Sequence, residues 1–127
     1  MRLAPHNDRG VVAIEFVLVF PALLIVLFSL IGLGAFLGAT NRAIGAARDG
    51  ARTASLGLSP PATVGDIAVT YSYSGGGPCL KANDPGFTFN PDHKVTATAT
   101  IDNYPVSRVL PGLMFDISEP VVMVCSG

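Results

Sequence analysis

Residues 9–39 read RGVVAIEFVLVFPALLIVLFSLIGLGAFLGA, and from Val11 to Ala39 the one ionisable side chain is Glu15. A helix of about 20 apolar residues crosses the hydrocarbon core of a bilayer, so this stretch is long enough to span, with residues left over for tilt or extension. A secretory signal has an apolar region of only about 7–15 residues and fits poorly, although Gly34, Ala35, Gly38 and Ala39 would offer a signal peptidase small residues. A transmembrane helix is expected over residues 11–40. Arg2 and Arg9 precede it while Arg42, Arg48 and Arg52 follow it, so counting charges leaves its orientation open.

Half of the 127 residues are hydrophobic and 13% are charged, which leaves room for one membrane helix and one small domain. A net charge of −1 without a Lys/Arg cluster gives no electrostatic argument for a nucleic-acid partner. Cys79 and Cys125 are the only cysteines, and both lie beyond the apolar stretch. A paired count suits an oxidising compartment, so the N-terminus is expected in the cytoplasm and the C-terminal domain outside. A Cys79–Cys125 disulfide would close a loop of about 46 residues and contribute about 4 kcal/mol by chain entropy. Two buried free thiols are the alternative.

Glu15 is chemically out of place. A carboxylate at mid-membrane costs about 2.5–3.5 kcal/mol on insertion scales, less near the interface, and usually marks a partner or a function. The plainer reading puts it at headgroup depth, favoured by the helix dipole. Its surroundings weigh against the plainer reading. Arg9-Gly10-Val11-Val12-Ala13-Ile14-Glu15-Phe16 resembles the processing site of type IV prepilins, in which a short basic leader ends in Gly and a Glu stands fifth in the mature chain. The resemblance implies cleavage by a prepilin peptidase between Gly10 and Val11, N-methylation of Val11, and a Glu15 carboxylate that pairs with the N-terminal ammonium of a neighbouring subunit, with Phe16 beside it in the assembling helix. Glycine suits the cleaved position because it has no Cβ to obstruct a protease. Pro21 removes one backbone hydrogen bond and is expected to kink the helix, which membrane helices tolerate.

Beyond the span, Ala43, Ile44, Ala47, Ala51 and Ala54 share one helical face, with Arg42, Arg48, Asp49 and Arg52 opposite. The helix is therefore expected to run from Val11 to about Leu56, about 70 Å at 1.5 Å per residue, until Gly57, Ser59, Pro60 and Pro61 stop it. Ala47-Arg48-Asp49-Gly50-Ala51-Arg52 resembles the Ala-Arg-Glu-Gly-Ala-Arg pattern of TadE-like proteins, with Asp49 in place of the usual Glu. The resemblance covers residues 9 to 55 well and the rest in outline.

Downstream, Ile67, Val69, Tyr71 and Tyr73 alternate with polar or small residues, as do Val95, Ala97, Ala99 and Ile101, and each run reads as a half-buried strand. A third strand is expected from Ile117 to Cys125, with Pro120 placing it at an edge. Val106, Val109, Leu110, Leu113 and Met114 have helical spacing, read as a short apolar turn over the sheet or a patch for a partner subunit. Asn83, Asp84, Asn90 and Asp92 lack the spacing of a calcium loop and read as turn residues. The fold expected is α+β and pilin-like: a long N-terminal helix packed on a small, mostly antiparallel sheet. Its divisions are a leader (1–10), a transmembrane helix (11–40), its extracytoplasmic extension (41–57) and a β-rich domain (58–127).

No catalytic constellation emerges: His6 lies in the leader, His93 stands alone in a loop, and there is neither a nucleophile motif nor a metal-binding repeat. No cofactor or metal is expected. The resemblance implies a minor pilin or pseudopilin of a tight-adherence (Tad, Flp-type) system, in the bacterial inner membrane or a surface pilus. Its partners would be a prepilin peptidase, other pilin or pseudopilin subunits, the inner-membrane Tad machinery and the lipid bilayer. The alternatives are an unprocessed, single-pass anchored binding module and a secreted domain with a cleaved signal. The mature N-terminus separates the three.

Overall fold

The computed structural model describes residues 9–105, 112 and 114–126. The residues before Arg9, where the leader is expected and His6 stands, and the apolar positions Val106, Val109, Leu110 and Leu113 lie outside the described residues.

Helix α1 spans Arg9–Ser55, 47 residues, or about 70 Å at 1.5 Å per residue. It ends in a Schellman motif. Gly57 takes φ 68°, Gly57 N–H donates to the Ala54 carbonyl at 3.1 Å and Leu58 N–H to that of Thr53 at 3.1 Å, so the last turn's orphan carbonyls are satisfied. A Cβ on Gly57 would sit 2.5 Å from the Lys81 backbone nitrogen. Glycine is thus required twice at this position, by its dihedral and by the approach of the Cys79–Lys81 backbone.

After this stop the chain forms one antiparallel sheet: β1 (Thr63–Val64), β2 (Ile67–Ser74), β3 (Lys94–Pro105) and β4 (Met114–Val124), in the order β1-β2-β3-β4. One long apolar helix on an antiparallel sheet is the α+β arrangement expected. β1 was not anticipated; it joins β2 through Gly65 and Asp66, with Gly65 at φ 66°, a tight hairpin turn open to glycine. Pro120 lies on β4, an edge strand, where a missing N–H is tolerated.

β4 starts at Met114 rather than Ile117, which corrects the helical-turn reading of Met114: it pairs with Pro105 in the ladder. β3 carries a bulge between Ile101 and Tyr104, facing Ile117 and Phe115, with Asn103 at φ 56° and its N–H donating to Asp116 Oδ1 at 3.0 Å. Asparagine is among the few residues that adopt this conformation readily. The extra residue changes the parity of the strand. Val95, Ala97 and Ala99 face the helix at odd positions, and after the bulge the even-numbered Tyr104 does so.

The second half of α1 lies on this sheet through small side chains. Ala43, Ala47 and Ala51 are fully buried and Ala39 and Ala46 nearly so, clustered with Ala97 and Ala99 of β3 and with Ile67, Val69 and Ile117. Alanine lets the helix approach closely but removes little apolar surface from water, and stabilisation follows that area. Among the described residues, Val95 is the largest fully buried side chain.

A candidate assembly helix and its braced domain

Among the described residues, α1 is bare from Val12 to about Phe28. Phe16, Leu18 and Ile25 are 66%, 73% and 68% exposed, and Val12, Ile14, Val19, Leu23, Val26 and Leu30 are exposed on all sides of the helix. A helix apolar around its whole circumference belongs in lipid or among other helices. Gly10 and Val11 lie in the first turn of α1, and Glu15 follows on the exposed stretch. Phe16 stacks towards Phe20 one turn on, ring centroids 5.6 Å apart. Pro21 stands inside the helix, where it has no N–H to give the Val17 carbonyl.

Arg48, Asp49 and Arg52 lie about 50 Å further along the helix axis than Glu15 at 1.5 Å per residue, so these two groups of residues form separate surfaces. All three charged side chains are exposed, on the face opposite the sheet, whereas Gly50 between them is buried. Its neighbour is Tyr71 of β2: a Cβ on Gly50 would collide with the phenol oxygen and lie 3.1 Å from Cε1 and Cζ. The phenol O–H donates to the Pro61 carbonyl at 2.7 Å. Burial, with Tyr73 adding to it, raises the Tyr71 pKa above the usual tyrosine value. Replacing a helical glycine with alanine ordinarily stabilises by about 1 kcal/mol. Here overpacking costs about 1–3 kcal/mol, so Gly50→Ala is expected to lower the melting temperature in detergent micelles. A rise would show that the ring yields freely.

At the far end of the helix, Cys79 and Cys125 form a disulfide with Cα atoms 5.4 Å apart, and both are buried. They pack with Ala54 and Val95 in a second small core. Ser126 N–H donates to the Ser55 carbonyl at 3.0 Å and Cys125 N–H to that of His93 at 2.9 Å. The loop between β2 and β3 and the C-terminus are thereby tied to the end of α1.

His93 lies beside the disulfide, which its isolation in the sequence did not suggest. The sulfur atoms and a ring nitrogen fall within 4.8 Å of one another. Bonded to each other, the sulfurs carry no thiolate with which to ligate a metal, and His93 Nε2–H donates to the Gly77 carbonyl at 2.7 Å. The four Asn and Asp residues of the loop include two that close turns: Asp84 Oδ2 accepts from Lys81 N–H at 3.1 Å and Asn90 Oδ1 from Asp92 N–H at 2.9 Å. Both are local side-chain turns, as expected of these residues.

The two ends of the helix therefore differ: bare and apolar around Glu15, clamped to a disulfide-braced sheet around Gly50. Residues 10–52 match the model of the TadE-like protein family. The TadE-like match begins at the glycine of the expected processing site and ends at Arg52, so it covers α1 almost to its last turn and stops short of the sheet. No curated protein and no solved structure matches the chain.

Besides the start of β4 and the place of His93, sequence reading missed strand β1, the bulge at Asn103 and the contact between Gly50 and Tyr71. The Gly50–Tyr71 pair is set by register across elements, and no local signal marks it. The bulge did have a signal: Asp102-Asn103 interrupts an alternating run with residues that favour turns.

Proposed function

We propose that the chain is a minor pilin or pseudopilin of a tight-adherence pilus system, cut by a prepilin peptidase after Gly10 and inserted by α1 among other subunits' helices. The observation that carries this reading is the division of α1. Its first half exposes an apolar surface around Glu15, its second half bears a folded domain, and the family match begins at Gly10. A major subunit of the Flp type is expected to end soon after the helix, so the attached sheet favours a minor one.

Before assembly the chain sits in the inner membrane, N-terminus in the cytoplasm and sheet outside. The Cys79–Cys125 disulfide supports that orientation, since such bonds persist in oxidising compartments. The Glu15 carboxylate pairs with a neighbour's N-terminal ammonium. Desolvation offsets much of the attraction in such a pair, and its best-attested value lies in fixing register. Arg48, Asp49 and Arg52 offer a charged face to machinery or neighbours beyond the membrane.

N-terminal sequencing and intact mass of the protein from a host with an active prepilin peptidase test the reading. The expected mature chain begins at Val11. Recovery with the leader intact would leave an anchored extracytoplasmic module instead.

A further inference from the structure

The β3–β4 hairpin reaches further down the helix than the alanine interface does. Tyr104 O–H donates to the Ala35 carbonyl at 3.3 Å, and the Phe115 and Phe36 rings meet edge-on with centroids 6.2 Å apart. A shallow apolar groove lined by Ser29, Gly32, Leu33, Phe36 and Phe115 runs on from that contact towards the N-terminus. The Asn103 bulge is what turns Tyr104 onto this face, opposite Phe115.

The depth of this contact on the helix is informative. Twenty-one residues separate Glu15 from Phe36, about 31 Å at 1.5 Å per residue, and a bilayer's hydrocarbon core is about 30 Å thick. With Glu15 at one boundary of the core, the other falls at Phe36, level with Tyr104 and Phe115. Large apolar side chains are exposed around that level, Met114 at 58% and Phe115 at 47% with Leu33 and Leu37 on the adjoining helix, beside the exposed polar group of Asp102, Asn103 and Asp116. The patch is continuous with the bare face of α1 below it. Tyrosine at such a boundary is the composition of an aromatic belt.

We propose that the last paired residues of this hairpin, Tyr104, Pro105, Met114 and Phe115, dock into the headgroup region of the bilayer as a second membrane contact. The occupant is a phospholipid surface. A single helix leaves its domain free to swivel, whereas a second contact in the same leaflet fixes the sheet's tilt and depth and presents Arg42, Arg48 and Arg52 at a set height above the membrane. The proposal rests on α1 being a membrane span.

The chain contains no tryptophan, so single Trp substitutions report without background. The full chain carrying Phe115→Trp, Leu23→Trp or Val122→Trp is reconstituted into phosphatidylcholine vesicles whose acyl chains are brominated near the headgroup or near the chain end. Leu23→Trp, within the span, is quenched most by the deep bromines, and Val122→Trp, on the outer part of β4, by neither. Phe115→Trp is expected to lose most of its emission to the shallow bromines and little to the deep ones. If Leu23→Trp is quenched while Phe115→Trp keeps its emission, the hairpin stands clear of the lipid and the proposal fails with the span intact. Shielding of Phe115→Trp only at high protein-to-lipid ratio would make a second copy the occupant and would also overturn it. An unquenched Leu23→Trp removes the span, and the proposal with it.

Discussion

Gly10→Phe should abolish maturation: in cells with a working prepilin peptidase the full-length precursor accumulates in the membrane and the form beginning at Val11 is absent. A phenylalanine puts a branched bulk where the proposed cleavage needs bare backbone, and α1 beyond it is untouched, so insertion is retained. Glu15→Ala should separate from it cleanly. The variant is inserted, and cut at the same bond, but its recovery in sheared pilus or assembly fractions falls tenfold or more, equivalent to about 1.4 kcal/mol in an assembly equilibrium. Insertion itself should improve, because removing a carboxylate from lipid is favourable. Immunoblots of membrane and sheared fractions, with intact mass for the N-terminus, read both steps. Unchanged incorporation of Glu15→Ala would remove the carboxylate from assembly, whatever the fate of Gly10.

The second large effect is expected at the disulfide. The double variant Cys79→Ala/Cys125→Ala opens a loop with a sequence separation of 46, a loss of about 4 kcal/mol by chain entropy. For a domain of this size that lowers the melting temperature by about 15–30 °C. The loss weighs heavily because the buried core, among the described residues, is poor in large side chains: alanines dominate the helix–sheet interface, and the buried part of the second cluster is Ala54, Val95 and the two cysteines, with Tyr71, Tyr73 and Met123 only partly buried against it. Net stabilities of small domains are only about 5–15 kcal/mol, so the variant sits near the threshold of unfolding. Near-ultraviolet circular dichroism of the tyrosines should melt early in detergent micelles while the far-ultraviolet signal of α1 persists. A shift of under about 5 °C, roughly 1 kcal/mol, would mean that packing alone holds the sheet.

The helix was legible because its signals are local and repeated. The apolar run, the alanine stripe from Ala43 to Ala54 and the Gly57–Pro61 stop each occupy one window of the chain, and the structure has α1 ending at Ser55 with Gly57 as its cap. β2 and the first half of β3 were readable for the same reason, since alternation has period two and one face of each is buried. The boundaries of β4 were not. Met114 and Phe115 follow a segment with helical spacing, and only pairing with Tyr104 and Pro105 makes them strand.

By itself, the amino-acid sequence determined that one helix is too apolar for water, that a carboxylate and a glycine stand at its start, and that two cysteines lie beyond it. These follow from composition and spacing along the chain, and burial of apolar surface leaves few alternatives to lipid or other helices for so uniform a stretch. Tertiary structure alone decided that Tyr71 occupies the space above Gly50, that His93 lies against the disulfide, and that a one-residue bulge lays the β3–β4 hairpin on Phe36. Such contacts join residues 14 to 79 positions apart in the chain, and the register that sets them comes from the fit of the whole sheet on the alanine face of α1.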